Sequence, residues 1–476
     1  MTHLDILLSA PLIILGVGSL FLLMLGAFSN SARATCIGAA ITIIAAATPL
    51  VLAPSTGPVF ALDGGAGGHL MQVSPFTNIA TLILLAVSLL CLPLVGSYFK
   101  GNNHKPEIYV LLVLALAGMV ALISSAHMLT LYVALELMSF PIYILASIMR
   151  DDAKSSESGL KYYVLGSMAS GLMLYGISLI FAGLGTLSFA NIFTALNGDT
   201  ITPVLLIGVS LTLLGSLFKL SVAPFHMWTP DVYEGAPTPV TAIMGAFPKI
   251  AAFVLLVRLL EGPFAALQPQ WQPTLAWLAV ASMLVGGTLA IVQSSLKRLL
   301  AFSTIANVGF VLVGVVAANA QGSSGVLLYI AIYAITTLGL FAALMASGAT
   351  KVSDLKGLAI RNRWLAATFM LLLFSLAGIP PLAGFMAKLS VFTAAVAAGY
   401  NLLAIAGVLA SVIALFYSLW LIKVMYFDQP ETLTPTPAVA SGLQVVMLVS
   451  AMLTLILGIF PTLLGNLTLA AATAIF

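Results

Sequence analysis

Charge is almost absent from this sequence. Its 476 residues include 17 Lys and Arg and 14 Asp and Glu, 7% in all, against 61% hydrophobic residues. A soluble domain carries about a quarter charged residues, so that class is excluded. Cysteine is nearly missing as well. Cys36 and Cys91 form no CxxC pair and match no zinc or iron–sulfur spacing, which leaves them as small apolar fillers. No glycine-rich nucleotide fingerprint precedes a strand. The run Gly64-Gly65-Ala66-Gly67-Gly68 reads as flexible linker in an external loop. The sequence therefore displays no NAD, flavin or metal site of its own. The first residues, Met-Thr-His-Leu-Asp, lack the basic n-region of a secretory signal, so the segment from Leu7 reads as a retained membrane helix.

What is present is apolar windows of membrane-crossing length. About fourteen can be counted, at 7–27, 35–53, 77–97, 107–125, 128–149, 160–186, 202–231, 238–260, 273–294, 298–318, 325–347, 363–397, 402–427 and 440–462. The seventh and twelfth are long and interrupted by proline. Basic residues then set the topology. Arg33, Lys100, Lys105, Arg150, Lys154, Lys161, Lys297, Arg298, Lys351, Lys356, Arg361, Arg363 and Lys423 fall in or beside one alternating set of loops. The opposite set, with the long 54–76 and 187–201 loops, has none. Arg258, at a helix end, is the marginal exception. The positive-inside rule makes the basic side cytoplasmic and turns both termini outward. The net charge of +3 follows from this bias and calls for no nucleic-acid partner.

The two broken spans are five helices apart. Five is odd, so a five-helix unit repeated in tandem returns upside down. The expected fold is an all-α polytopic membrane protein with two inverted five-helix repeats, spans 4–8 and 9–13. The expected division is 1–104 for the first three helices, 105–262 and 263–428 for the repeats, and 429–476 for the last helix.

Four charged residues lie inside apolar spans: Glu136, Lys219, Lys249 and Lys388. A charge at the centre of a membrane helix costs about 3 kcal/mol on insertion scales. Glu136 fits either a structural ion pair with another helix or a titratable group answering to a moving partner. Lys219 precedes Pro224, which breaks its helix. His226, in or beyond that break, suits either a proton relay or a bond to a freed carbonyl. Asp231 and Glu234 approach the cytoplasmic boundary as entrance or capping groups. Lys249 follows Pro248 near mid-span, too deep to snorkel. Desolvation disfavours a charged lysine, which suits Lys249 to loading and releasing one proton. Lys388 follows the Pro380-Pro381 break, in a span that ends outward. Tyr143 and Tyr417 read as packing or interfacial residues.

Several stretches resemble the antiporter-like membrane subunits of respiratory NADH–quinone oxidoreductase, complex I, most closely its subunit N branch. They are ALELMSFPIY, LFKLSVAPFHMWTPDVYEGAPTPVTA with FPKIAAF, VQSSLKRLLAFSTIANVGF and SLAGIPPLAGFMAKLSVF, within about residues 105–425. The PDVYEGAPTPVTA stretch is the most specific. The resemblance implies a coupling ion pair between Glu136 and Lys219, a central proton carrier at Lys249 and an exit-side carrier at Lys388. Asn307 departs from the pattern, since relatives usually have histidine there.

The resemblance further implies a proton-pumping membrane-arm subunit in a bacterial inner membrane. FMN and iron–sulfur clusters, and the sites for NADH and quinone, are then expected in partner subunits. Subunit M and small membrane subunits are the expected neighbours. A stand-alone or Mrp-like cation/proton antiporter, and a passive scaffold, are the competing readings.

Overall fold

The computed structural model describes residues 3–29, 31–62, 67–99, 105–198, 201–430 and 438–474. Lys100 and residues 64–66 of the glycine run lie outside them. Backbone in lipid must satisfy its own N–H and C=O groups, so the apolar windows become helices. In chain order these are α1 His3–Leu8, α2 Ala10–Ser29, α3 Ala32–Leu52, α4 Pro75–Tyr98, α5 Lys105–Ser124, α6 Met128–Ala146 and α7 Ala153–Leu184. Next come α8 Phe189–Gly198, α9 Pro203–Leu220, α10 Trp228–Gly235, α11 Thr238–Glu261, α12 Gln268–Ile291, α13 Leu296–Ala317 and α14 Ala320–Ser347. The last are α15 Leu358–Arg361, α16 Arg363–Ala377, α17 Ala383–Ala397, α18 Asn401–Tyr426, α19 Ser441–Ile459 and α20 Thr462–Ala472.

Among the described residues, 13 helices are long and apolar enough to cross a membrane. The half-helices α16 and α17 together make the remaining expected span. The seventh expected span is α9 followed by α10. One five-span unit is then α5, α6, α7, α9–α10 and α11, and the other is α12, α13, α14, α16–α17 and α18. Each breaks in its fourth span, and the odd number of crossings inverts one unit against the other.

Both breaks have local causes. Helix α9 stops on Ser221 at φ 66°, and α16 stops on Gly378 at φ 87°, each a left-handed cap. Prolines follow, Pro224 in one and Pro380-Pro381 in the other, and their missing N–H groups prevent the helix from resuming at once. The Ala223–Pro224 and Pro380–Pro381 bonds are cis.

Helices α11, α13 and α14 form the centre. The apolar windows of α11 and α13 are 100% buried and that of α14 is 94% buried, whereas those of α2 and α3 are 22% and 28% buried. Polar side chains on the central three are therefore shielded from lipid by the chain itself.

The structure departs from the sequence reading outside the spans. The 54–76 segment, expected only as a long loop, contains an antiparallel hairpin of β1 Gly57–Ala61 and β2 His69–Val73. Its inward residues Val59, Met71 and Val73 pack on Leu8 of α1, which gives so short a hairpin the apolar face it needs. The 187–201 loop carries α8, buried through Phe189, Ile192 and Leu196. After the last span the chain turns back as α20, where Ser324 Oγ of α14 donates to Thr468 Oγ1 at 3.0 Å.

Candidate proton-transfer axis

A helix that stops inside a membrane leaves carbonyl groups without partners. At the first break, the Trp228 indole donates to Phe218 O at 3.0 Å. Lys219 O receives the Lys249 ammonium, with Nζ at 2.9 Å. The same Nζ donates to Ser221 Oγ at 2.6 Å, and Thr229 Oγ1 donates to that oxygen at 2.7 Å. Lys249 is 1% exposed and lies 5.4 Å from the centre of the Trp228 ring. It thus reaches across from α11 to hold the C-terminal, negative end of the α9 dipole.

At the second break, Lys388 does the same for α16. Its Nζ donates to Ala377 O at 2.7 Å and sits 4.6 Å over the Phe310 ring. Two further cations repeat the pattern. Lys297 Nζ donates to Ala236 O, at the end of α10, at 2.7 Å. Arg258 Nη1 donates to Ile123 O at 2.6 Å and Ser125 O at 2.7 Å, at the end of α5. Arg258 was the one basic residue outside the cytoplasmic bias, and this bond to a helix end accounts for it. Among the described residues, none of these four cations has a carboxylate within 4.0 Å.

The expected Glu136–Lys219 ion pair is not formed. Lys219 Nζ instead donates to the Tyr143 hydroxyl at 2.7 Å and lies 4.8 Å from the Tyr143 ring centre and 5.3 Å from that of Tyr162. Glu136 and Tyr143 are seven residues apart on one face of α6, about 10 Å along the helix. Tyr143 is the one level with Lys219. Glu136 Oε1 is buried without a hydrogen-bond partner. Tyr162 stacks on Trp228 with ring centres 4.4 Å apart, so an aromatic wall joins the Lys219 and Lys249 sites.

Between the two breaks, α13 and α14 bring a polar ladder together. Tyr333 donates to Thr304 Oγ1 at 2.9 Å, and Tyr329 donates to Asn307 Oδ1 at 2.8 Å. Asn307 Nδ2 donates to Ser303 O at 2.8 Å, and Ser303 Oγ shares a hydrogen with the Tyr417 hydroxyl at 2.9 Å. Asn307 orients its neighbours through both ends of its amide. Tyr417 and Tyr143, read from sequence as packing residues, both turn their hydroxyls into the axis. The tyrosines at 329 and 333, one helical turn apart, and Thr304 with Asn307 at the same kind of spacing, each set two polar side chains on one helix face, a pattern present in the sequence itself.

On the basic side, a cavity of about 590 Å³ opens beside Asp152, Lys154, Glu234, Lys297 and Thr238. Asp231 and Glu234 are paired at its edge. Arg298 Nη1 lies 2.7 Å from Asp231 Oδ1 and 3.2 Å from Glu234 Oε2, and Lys161 Nζ lies 3.1 Å from Asp231 Oδ2. Pairs this exposed are worth at most about 1 kcal/mol, so they contribute little to holding the fold. His226 sits half-buried in the first break, and among the described residues it bonds neither Lys219 nor Lys249.

The model of the family described as NADH:quinone oxidoreductase/Mrp antiporter, TM, matches residues 125–414. The NADH-quinone oxidoreductase subunit N of Methylobacterium nodulans is 40% identical over 98% of this chain and 96% of its own length. That of Beijerinckia indica subsp. indica is 41% identical over 100% of both. A chain of respiratory complex I from Thermus thermophilus with bound aureothin superposes with TM-score 0.81 at 31% identity, covering 96% of this chain and 98% of that one. A chain of the Mrp complex from Dietzia sp. DQ12-45-1b gives TM-score 0.87 at 23% identity over 99% of this chain and 97% of its own, a likeness of fold alone. With both breaks and all four charges of the apolar spans inside the matched region, the chain belongs to the NADH:quinone oxidoreductase/Mrp antiporter membrane family, where its 40%-identical relatives are N subunits of NADH-quinone oxidoreductase.

Proposed function

We propose that this chain is the proton-translocating, non-redox N-type subunit of a membrane NADH–quinone oxidoreductase. The observation that carries the reading is the pair of buried lysines, Lys249 and Lys388, each bound to a broken-helix carbonyl and neither neutralised by a carboxylate. A proton from the cytoplasmic vestibule loads the Lys249 amine. Charged, Lys249 grips the end of α9; neutral, it loses a donor and its attraction for that dipole. Loading and release are therefore tied to the geometry of the break. The proton moves on over the hydroxyls of Tyr333, Thr304, Tyr329, Ser303 and Tyr417, each able to accept and donate, toward Lys388 and the outside. Asn307 holds two of those hydroxyls in place.

The redox parts, FMN, iron–sulfur clusters and the NADH and quinone sites, belong in this reading to partner subunits. An antiporter-like subunit M and small membrane subunits lie beside this chain in the membrane arm. The basic loops face the cytoplasm and both termini face outward. Single cysteines placed in the 151–157 and 351–363 loops of a Cys-free chain label from the cytoplasmic side with an impermeant reagent, and one placed at 54–62 labels from outside. External labelling of the 351–363 loop would overturn this orientation.

The functional test is co-purification. A tagged chain extracted in mild detergent brings flavin- and cluster-bearing partners that oxidise NADH. If the chain comes out alone and exchanges cations for protons in vesicles by itself, the Mrp-like reading replaces this one.

The Lys219 site gives a further test. A hydrogen bond to a charged group contributes about 1.5–3 kcal/mol, so Tyr143→Phe releases Lys219 from its hold and slows NADH-driven proton uptake about tenfold or more. If Tyr143 acts through Lys219, the double variant Tyr143→Phe/Lys219→Met is no slower than Lys219→Met alone. Strict additivity of the two losses would separate the residues.

A further inference from the structure

Glu261 closes α11 at the end away from the cytoplasmic vestibule, twelve residues and about 18 Å beyond Lys249 on the same helix. The axis between the two breaks makes no use of it. Its Oε1 accepts from Ser323 Oγ of α14 at 2.6 Å, while its Oε2 is buried and has no hydrogen-bond partner. The carboxyl lines a cavity of about 440 Å³, open on the outward face, together with Arg258, His69, Gln72, Ser74 and Ser188. His69 Nδ1 is a second buried acceptor without a partner beside the same cavity.

The chemistry of these groups selects what Glu261 binds. Magnesium and calcium take six or more oxygen ligands and zinc usually three or four His, Cys, Asp or Glu side chains, and no cluster of three such residues gathers anywhere among the described residues. A small anion meets the Glu261 carboxyl, and Arg258 Nη1 already serves two backbone carbonyls. A proton fits. Oε2 can take one while Oε1 keeps its bond to Ser323, and taking it removes a buried charge that one hydrogen bond leaves poorly compensated. Among the described lining residues, the titratable or charged groups besides Glu261 are Arg258 from α11 and His69 from β2; the others, from β2 and the residue after it, the turn before α6, α8 with the residue before it, the turn after α11 and a residue just beyond α20, are neutral. Helix α14 also carries Tyr329, six residues or about 9 Å inward of Ser323, so the helix that holds the hydroxyl ladder also supplies the partner of Glu261.

We propose that Glu261 is an outward proton-release group of the first repeat. It takes a proton arriving from the interior on Oε2 and passes it through this cavity to the outside, a second outlet beside Lys388. No bond other than O–H forms or breaks, and no electron moves.

This rests on the translocation reading, so the test carries Lys249→Ala as a reference. Assembled complexes with Glu261→Gln, Glu261→Asp and Lys249→Ala are compared in sealed vesicles. Glu261→Gln keeps an acceptor for Ser323 but cannot titrate; it loses about half of the NADH-driven proton uptake, the share of one of two outlets. Glu261→Asp keeps a titratable carboxyl and recovers most of that loss. A loss in Glu261→Asp equal to that in Glu261→Gln, with the complex assembled, overturns the proposal. Normal uptake in Glu261→Gln, with Lys249→Ala impaired, overturns the outlet alone. Normal uptake in both Glu261→Gln and Lys249→Ala overturns the translocation reading and the outlet with it. Should Glu261→Gln fail to assemble, Gln72→Cys in a Cys-free chain replaces it. A bulky impermeant thiol reagent applied outside then plugs the cavity and slows uptake, and unchanged uptake after full labelling overturns the proposal.

Discussion

Replacing Gly384 by valine is expected to cost the complex most of its assembled yield. Gly384 is the second residue of α17, and it packs against the end of α16 across the second break. A Cβ built there falls on the Ser375 carbonyl, backbone against backbone, with Ser375 Oγ close behind. No flexible side chain can yield, so the two half-helices must separate. Overpacking of this kind costs about 1–3 kcal/mol even where side chains can adjust, and more where backbone must move. Separation also removes Lys388 from Ala377 O and exposes the carbonyls of the α16 end, so Gly384→Ala already shows a lowered thermal midpoint in detergent. Gly171→Ala is the control. Nothing lies within 4 Å of its added methyl, and alanine is the better helix former. Equal midpoints for the two alanine variants would mean that the break tolerates separation.

That contact shows where sequence reasoning stopped. The spans were legible because lipid demands long apolar runs, and the breaks were legible because a proline interrupts its helix locally. Lys249 and Lys388 were legible because a charge inside an apolar run needs a reason. Their partners were not. Which carbonyl a lysine meets depends on how α11 crosses α9, and no local pattern records that crossing. The Glu136–Lys219 pairing failed for the same reason: opposite charges suggested attraction, but the level at which α6 meets α9 put Tyr143 there. The tyrosines were passed over because a phenol packs well whether or not its hydroxyl is used. The hairpin at 57–73 and helix α20 were missed because both are short and draw their stability from contacts with distant segments.

Lys249→Ala is expected to have the largest functional effect. It removes the ammonium that holds Lys219 O and Ser221 Oγ, and with it the one titratable side chain on α11 at the first break. Loss of a positioned acid–base group typically slows proton transfer by about a hundredfold or more. Lys249→Arg keeps a cation near the α9 terminus, but a guanidinium does not release its proton near neutral pH, so it preserves assembly without restoring transfer. A wild-type rate in the arginine variant would reduce Lys249 to a fixed charge. The most direct measurement is the number of protons moved per electron pair from NADH in sealed vesicles, taken with turnover and with the amount of assembled complex. In assembled Lys249→Ala complex we expect that ratio, or the turnover coupled to it, to fall clearly below wild type. An assembled Lys249→Ala complex that moves as many protons per electron pair at wild-type turnover would contradict the account.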